Sequence, residues 1–504
     1  MGTAGTSATS VDKGLRSGAL GLASTVVIGV SSTAPAYSMA ATLGLVVTIA
    51  GFHAPGVLIV SFVPMLFIAY AFRELNKVDP DCGTTFTWAS RAFGPYVGWL
   101  GGWGIIAADV IVMSSLSQIA GRYFFLTLGA DRLASSTVWV TTAGVVFIAA
   151  MTWICYRGIE ISARVQLGLL GVEVLALALF SGVALVKVYT GHALPSAAHP
   201  ALTWLNPFSG SLSDLADAFL LAVFVYWGWD CAVSVNEETR DSARTPGRAA
   251  VISTIVLVGI FAVVSVAALA FAGPDFLAAH SGDVLGALSQ AVLGSTVGRI
   301  LVLCVLTSAA ASTQTTILPT ARATLSMAAH RALPARFGRM HPRYLTPTFS
   351  TVAMGAVSAA FYVGLTVVST NVLQDSAAAV GLLIAFYYGL TGFASFWFFR
   401  RELRSGAASL WFKGVLPLLG GLVLLGAFVL SVRSYLPAAS SASSLFGMGG
   451  IFVIGAGSLL LGVVVMLITR WRSPEFFRSG PVSAGAPSAP TMQRPLVAAD
   501  RSSS

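Results

Sequence analysis

Long runs of apolar residues recur along the whole chain and are separated by short polar connections. Runs of about 20 apolar residues can cross a bilayer as a helix, and they are too long for strands or for the core helices of a globular domain. They do not alternate apolar and polar with period two, which excludes a closed membrane barrel. We predict twelve spans, at residues 20–50, 55–73, 96–121, 137–156, 163–189, 212–236, 250–273, 297–327, 348–368, 377–399, 414–433 and 448–469.

Composition supports a chain whose main solvent is lipid. Of the 504 residues, 56% are hydrophobic and 10% are charged, whereas a soluble chain has about a quarter charged. The predicted fold class is therefore an all-α polytopic membrane protein with twelve transmembrane helices. We expect a cytoplasmic N-terminal tail at 1–17, a membrane domain at 18–473 and a disordered cytoplasmic tail at 474–504. The first apolar segment has no signal cleavage site and is expected to stay in the membrane.

Positively charged residues concentrate in alternate connections. With twelve spans and a cytoplasmic N-terminus, only five of the 29 Lys and Arg residues fall outside: Arg122, Arg132, Lys187, Arg299 and Arg433. This asymmetry follows the positive-inside rule, so the net charge of +9 does not indicate a nucleic-acid partner. We predict a multi-pass protein of the cell (inner or plasma) membrane with both termini in the cytoplasm and lipids as its surroundings.

The sequence lacks the motifs of membrane-embedded enzymes. It contains no HExxH, CxxC, P-loop or G-x-S-x-G pattern. The four cysteines are scattered and are expected to be small buried residues, and the six histidines lie in loops or at span ends. We therefore expect no enzyme activity, no cofactor and no metal. Any transport must draw on an ion gradient, an exchange gradient or the substrate's own gradient.

Two predicted spans are interrupted at matching places. The first contains SSTAPAYS at 31–38, where Pro35 cannot supply a helical N–H. The sixth contains Gly228 followed by Trp229 and Asp230 in an apolar run. Such a pair in two halves of a chain indicates the midplane site of an inverted-repeat transporter, and an offset of five spans makes the halves inverted copies. Alternatively, Pro35 merely kinks its span and Gly228 permits close helix packing.

Four segments resemble the amino acid-polyamine-organocation superfamily of permeases, in a bacterial branch: VIGVSSTAPAYSMAATLG, FVYWGWDCAVSVNEETRDSARTPGRA, ASTQTTILPTARATLSMA and GLLIAFYYGLTGFASFWFFR. The resemblance extends over nearly all of the chain except the tails. It implies a five-plus-five inverted repeat with broken helices 1 and 6 (LeuT-like) and alternating access. Repeat one would cover about 18–190, repeat two about 210–400, and helices 11–12 about 412–470. Many members have glycines in the first break, where this chain has Ser31, Ser32, Thr33 and Ala34.

Three acidic residues lie well inside predicted spans: Asp109, Glu173 and Asp230. A charge at the centre of a membrane helix costs roughly 2.5 to 3.5 kcal/mol on insertion scales, so such residues usually face a cavity. Asp109 either faces the substrate cavity and attracts an amine or hydrogen-bonds to another helix. Asp230 either caps free N–H groups after the second break or acts as a gate or proton-linked residue.

Glu173 is the leading candidate for ion coupling. No basic residue shares its span until Lys187, and an isolated buried carboxyl tends to be protonated, which suits a proton carrier. The resemblance implies a position near that of a lysine that replaces a sodium ion in proton-coupled relatives. A carboxylate could exchange a proton or bind sodium, so both coupling ions stay open. The structural alternative is a protonated Glu bonded to a neighbouring helix.

The two breaks also indicate how an amino acid could bind. The half-helix beginning near Ala36 and Tyr37 presents N–H groups suited to a carboxylate, and free carbonyls from Phe224 to Trp227 suit an ammonium. The resemblance implies that Phe224 closes over the substrate, although it could also be a packing aromatic. The predicted substrate-binding residues are Ser31, Ser32, Thr33, Ala34, Ala36, Tyr37, Asp109, Phe224, Tyr226, Trp227, Gly228 and Gln314.

Span eight adds a polar cluster, Ser312, Thr313 and Gln314. The resemblance implies hydroxyls at a sodium site or its vacant remnant, whereas hydroxyls also serve simply to join helices. The predicted ion-coupling residues are Glu173, Asp230, Ser312 and Thr313. At the predicted cytoplasmic end, an inner gate or a solvated loop is formed by Glu237, Glu238, Thr239, Arg244, Pro246 and Arg248.

These features predict a secondary active transporter that imports amino acids by alternating access with proton coupling. Polyamine or amine transport and amino-acid exchange are the alternatives, because Asp109 and Glu173 also suit an amine. The missing motifs argue against an enzyme, and a receptor or channel needs no paired broken helices. The expected partners are a small-molecule substrate, a proton or sodium, and membrane lipids.

Overall fold

The computed structural model describes residues 11–208 and 211–481, and most of them are helical. The helices are α1 (Leu22–Thr33), α2 (Pro35–Ala50), α3 (Ala54–Val78), α4 (Thr85–Phe93), α5 (Pro95–Thr127), α6 (Asp131–Ala134), α7 (Thr137–Arg157), α8 (Ile159–Tyr189), α9 (Leu212–Val225), α10 (Cys231–Ser234), α11 (Thr245–Ala279), α12 (Val284–Ala329), α13 (Thr348–Val368), α14 (Thr370–Phe399), α15 (Ala407–Ser409), α16 (Leu416–Tyr435), α17 (Gly450–Arg472) and α18 (Pro474–Ser479). Two short strands, β1 (Ser444–Leu445) and β2 (Met448–Gly449), form an antiparallel pair.

The predicted polytopic helical membrane protein is confirmed. Among the described residues, ten helical stretches are long and apolar enough to cross a membrane, and the first of them, Leu22–Val78, combines α1, α2 and α3. Each of the twelve predicted windows coincides with at least one helix, although α9 has only 14 residues. The exact count of twelve, the inverted repeat and the orientation stay predictions.

Two helices exceed the length of their predicted spans and bend at glycines. α11 is interrupted at Gly273 (φ 72°) and α12 at Gly294 (φ 79°). Both positive φ values lie in a region that glycine adopts without a steric cost. The kinks lie close to the predicted span limits at 273 and 297, so the apolar pattern located the straight parts of both helices.

Both predicted tails contain ordered residues. In the N-terminal tail, Lys13 is buried against the helical domain. At the other end, α18 lies within the segment that was predicted to be a disordered tail, 474–504. It buries Phe476 and Phe477 near Phe86. The remaining residues of the two predicted tails, 1–10 and 482–504, lie outside the described part of the chain.

The helices that contain the breaks lie in the interior of the bundle. α1 and α2 pack against α8, α11 and α12, and α10 packs against α11 and α12. Residues on both sides of the first break, from Ile28 to Ala40, are buried. This arrangement shields the polar groups of the interrupted backbone from lipid, as membrane helices require.

Candidate functional site

The first break is a single residue wide. α1 ends at Thr33, Ala34 has left-handed backbone angles (φ 48°, ψ 66°), and α2 begins at Pro35. Such angles are uncommon for a residue other than glycine. Proline suits the first helical position because its missing N–H would have no partner there. The predicted interruption within 31–38 is therefore confirmed at Ala34.

The second break lies directly against the first. α9 ends at Val225 and α10 begins at Cys231, with Gly228 between them at φ 118°. A Cβ atom on Gly228 would lie 2.8 Å from the carbonyl oxygen of Ser32. Glycine is thus required both for its backbone angle and for the close approach. The structure brings the two predicted interruptions into contact.

Glu173 occupies the N-terminus of the second half-helix. Its side chain is fully buried, and Oε1 accepts hydrogen bonds from the Ala36 N–H (2.7 Å) and the Ser308 hydroxyl (2.7 Å). The Tyr37 N–H donates to Ser308 Oγ (3.2 Å). The N–H groups that were expected to be open to a substrate carboxylate are therefore already paired inside the protein. The carboxyl of Glu173 also lies where the helix dipole favours negative charge.

The second carboxyl oxygen of Glu173 is buried and has no hydrogen-bond partner among the described residues. The sequence-based interpretation did not select Ser308, although it lies one helical turn before Ser312 on the same helix face. Ser312 also reaches the first break, because its hydroxyl donates to the Ser32 carbonyl (2.8 Å). The four-residue spacing between Ser308 and Ser312 was the sequence signal that could have identified Ser308 as part of the site.

The other two residues of the span-eight cluster do not reach the breaks through their hydrogen bonds. Thr313 donates to the Ala309 carbonyl within α12 (2.8 Å). The Gln314 side chain donates to the Ser162 hydroxyl of α8. Within the first break, the Thr33 hydroxyl donates back to Gly29 (3.3 Å), while the buried Ser31 hydroxyl has no partner in the described part of the chain.

Asp230 is held by two tyrosines of α14. Tyr388 and Tyr387 donate to its two carboxyl oxygens (2.9 and 3.0 Å), and Trp227 Nε1–H donates to the Tyr387 hydroxyl (2.5 Å). No side-chain capping hydrogen bond from Asp230 to α10 is seen, and both the capping role and the gating or proton-linked role stay predictions. The tyrosines stand in a segment that carries the family resemblance, but as uncharged aromatics in an apolar span they did not stand out as partners of a buried carboxyl group.

The remaining predicted residues mainly join helices. Asp109 on α5 accepts a hydrogen bond from the Thr320 hydroxyl of α12 (2.6 Å). The Tyr226 hydroxyl donates to the Leu58 carbonyl (3.0 Å), which directs it towards α3. Phe224 is half-buried, and its carbonyl already accepts the Trp227 N–H (3.1 Å). The expected row of free carbonyls is thus partly occupied.

A buried ionic network lies at the end of the bundle that is predicted to face the cytoplasm. Lys13 Nζ donates to Asp81 (2.9 Å) and to Glu237 (2.5 Å). Burial alone would raise the pKa of Asp81, but Lys13 and His330 together outweigh burial and hold that pKa well below its usual range. We call Lys13, Asp81 and Glu237 the Lys13 network. Asp81 also forms hydrogen bonds with Thr87, Ser326 and His330.

A second ion pair lies beside the Lys13 network. The Arg322 guanidinium donates to both carboxyl oxygens of Glu238 (3.0 and 2.9 Å), and both side chains are fully buried. The backbone of Leu20 bonds to Glu238 and Arg240 on either side of Thr239. Glu237 and Glu238 of the predicted gate are therefore in ionic contact with Lys13 and Arg322. The sequence did not identify these two cations, nor Asp81, which shares Lys13 with Glu237.

Three potential metal ligands meet within the Lys13 network. Ligand atoms of Asp81, Cys82 and Glu237 lie within 4.8 Å of one another. Lys13 already supplies a positive charge to both carboxylates. Burial raises the pKa of the Cys82 thiol, which keeps it in a form that does not bind metals. This cluster therefore does not indicate a metal site.

Comparisons with known proteins give a consistent assignment. A family described as amino acid permease matches residues 20–478. An uncharacterized transporter of Mycobacterium tuberculosis is 27% identical over 478 residues, 92% of this chain and 96% of its own length. The arginine/ornithine antiporter ArcD2 of Lactococcus lactis is 25% identical over 82% of this chain and 89% of its own. The low-affinity putrescine importer PlaP of Escherichia coli is 22% identical over 76% and 82%.

Proposed function

Because the chain belongs to the amino acid permease family, which confirms the resemblance seen in the sequence, we propose that it imports amino acids by alternating access, driven by protons. The family and the relatives support a membrane transporter of amino acids or amines. The observation that supports proton coupling is the position of Glu173. A carboxyl group of the protein itself occupies the helix N-terminus that is suited to a substrate carboxylate.

The proposed coupling is a competition for this helix end. While Glu173 is ionised, a substrate carboxylate would have to approach a second negative charge at the same N–H groups, which is unfavourable in a buried site. Protonation removes that charge and weakens the hold of Glu173 on Ala36. A proton and an amino acid would then bind together, and each would favour the other by the same factor.

The proposed gate is the set of ion pairs at the predicted cytoplasmic end. In the closed state, Lys13 and Arg322 hold the residues that follow the second break. Opening towards the cytoplasm would separate these charges. In the proposed five-plus-five arrangement, movement of one repeat against the other would alternate between this opening and one on the opposite side.

Amine transport is the second candidate. Asp109 and Asp230 are buried near the breaks, and both are bonded to hydroxyl groups rather than to cations. An ionised pair of this kind would favour a substrate with ammonium groups and no carboxylate. In that case Glu173 would permanently fill the carboxylate position.

Matched substrate pairs distinguish the two candidates. We would reconstitute the purified chain in liposomes and measure uptake of ornithine against putrescine, and of leucine against 3-methylbutylamine, with a pH or a sodium gradient. The proposal predicts that at least one amino acid accumulates when the outside is acidic and that its decarboxylated counterpart does not. Accumulation of amines alone would favour the second candidate, and no uptake under any gradient would contradict the transporter proposal.

The Glu173→Gln variant tests the coupling assignment separately. We expect it to exchange amino acids but to lose acceleration by the pH gradient, because its neutral amide cannot carry the proton. Glu160→Gln is the matched control on the same helix, since Glu160 is half-buried and pairs with Arg16 at the surface. Unchanged gradient-driven uptake in Glu173→Gln would show that the coupling site lies elsewhere.

A further inference from the structure

A cavity of about 390 Å³ is lined by Arg73, Lys77, Arg244 and Arg248. Arg73 and Lys77 lie near the end of α3, and Arg244 and Arg248 flank the start of α11. All four lining residues are basic. This cavity is separate from the Lys13 network, although the sequence had grouped Arg244 and Arg248 with the gate.

Close packing of two helix ends brings the cations together. A Cβ atom on Gly247 would lie 2.7 Å from the Cα atom of Arg73, so only glycine lets the start of α11 approach α3 this closely. The first turn of α11 contains no acidic residue and no side-chain cap. The positive N-terminal end of α11 therefore adds to the charge of the four side chains.

Acidic neighbours neutralise only part of this charge. Arg73 (3.0 Å) and Lys77 (2.6 Å) share one carboxyl oxygen of Glu74. Within residues 11–208 and 211–481, neither Arg244 nor Arg248 forms an ion pair with an acidic side chain. Two of the four cations thus share one carboxylate, the other two have no acidic partner among these residues, and the cavity that all four line favours a bound anion.

The surroundings of the cavity match the membrane interface. The Arg73 guanidinium lies over the rings of Tyr70 and Phe412, at 5.2 and 5.8 Å from their centroids, and the neighbouring Trp411 is exposed. Aromatic side chains concentrate at the level of lipid headgroups. Basic pockets between helix ends at this level suit the phosphate of an anionic lipid, and guanidinium groups can bind phosphate oxygens in pairs.

We propose that this cavity binds the phosphodiester headgroup of an anionic phospholipid. The site is distinct from the two breaks, and its occupancy does not depend on what the chain transports. A bound phosphodiester would join the ends of α3 and α11 and thereby stabilise the folded bundle.

The test uses the full chain in nanodiscs of phosphatidylcholine with or without phosphatidylglycerol. We expect phosphatidylglycerol to raise the unfolding temperature of the wild type and to be retained in native mass spectrometry. The double variant Arg244→Gln with Arg248→Gln should lose most of both effects. Arg401→Gln with Arg404→Gln is the matched control, because it removes the same charge from two exposed residues of another connection.

Three results would contradict the proposal. Equal lipid effects in the wild type, the double variant and the control would show that the cavity is not the site. Equal losses in the double variant and the control would indicate a general charge effect. An equal rise with inorganic phosphate in neutral nanodiscs would show that the occupant is a soluble anion. If the double variant unfolds in neutral lipid, Arg248→Gln alone is compared with Arg404→Gln.

Discussion

Buried carboxyl groups at the two breaks and at the Lys13 network are stabilised in different ways. At the breaks, Glu173 and Asp230 accept hydrogen bonds from an amide and from hydroxyl groups. In the network and the adjacent ion pair, Asp81 and Glu238 are paired with Lys13 and Arg322. Neutral donors permit a carboxyl group to gain or lose a proton, whereas a buried cation fixes it in the ionised form.

This contrast suggests a division of tasks. Groups at the breaks can change charge when a substrate binds, which suits coupling. Groups in the ionic contacts keep their charge and change partners only when the helices separate, which suits a gate. The predictions below test this contrast, from the largest expected effect to the smallest.

Arg322→Met should have the largest effect on stability. It leaves the fully buried Glu238 carboxylate without a cation, and removal of one partner of such a pair costs about 3–5 kcal/mol. The measurement is thermal unfolding in detergent, with Arg299→Met, an exposed residue of the same helix, as control. The double variant Arg322→Met with Glu238→Met should recover most of the loss. A single variant as stable as the control would contradict the importance of this pair.

Lys13→Met should open the network without unfolding the bundle. Lys13 is on the segment before α1, and its loss leaves Asp81 and Glu237 to repel each other. We expect faster maleimide labelling of the adjacent Cys82, identified by mass spectrometry. Cys304, which is buried in the middle of α12, is the internal control. If both cysteines change equally, the substitution has loosened the whole fold and the gate assignment fails.

An ionised Asp230 predicts that Tyr388→Phe costs about 1.5–3 kcal/mol, because the substitution removes a hydrogen bond to a charged carboxyl group. Tyr226→Phe removes a hydrogen bond to a neutral carbonyl and should cost about 0.5–1.5 kcal/mol. Chemical denaturation of both variants gives the comparison. Equal losses would indicate that Asp230 is already neutral at rest.

Asp79 and Asp81 should change stability with pH in opposite directions. The lowered pKa of Asp81 means that its contribution to stability is lost as the pH falls. Burial raises the pKa of Asp79 to about 6. The Arg91 guanidinium, 2.8 Å from Asp79 Oδ2, opposes the shift only in part, because unlike Lys13 and Arg322 it is partly exposed to solvent. Because this pKa lies above the unfolded value of about 3.9, protonated Asp79 stabilises the fold at low pH. Up to about 3 kcal/mol is lost as the pH rises from below 4 through 6, and roughly half of that loss falls above pH 5. Asp79→Asn should flatten unfolding curves compared between pH 5 and 7, whereas the exposed Asp131→Asn should not. An unchanged profile would contradict this assignment.

Local sequence signals predicted the two breaks, but the hydrogen-bond and ionic partners of the acidic residues could be identified only in the structure. Pro35 and Gly228 change the backbone where they stand, so the sequence located both interruptions. By contrast, Lys13 and Glu237 are 224 positions apart, and no local pattern links them. Ser308 was not identified because a serine followed by three alanines looks like ordinary helix packing. The occupied N-terminus of α2 could not be anticipated, because it depends on the side-chain direction of Glu173 from another helix.

The most direct test of the proposed coupling is proton uptake on substrate binding. A transported amino acid is added to the purified wild type in weakly buffered detergent solution at neutral pH, and the pH change is recorded. The account predicts uptake of about one proton per bound amino acid in the wild type and in Glu160→Gln. It predicts no uptake in Glu173→Gln, although this variant still binds. Equal proton uptake in the wild type and Glu173→Gln would contradict the account.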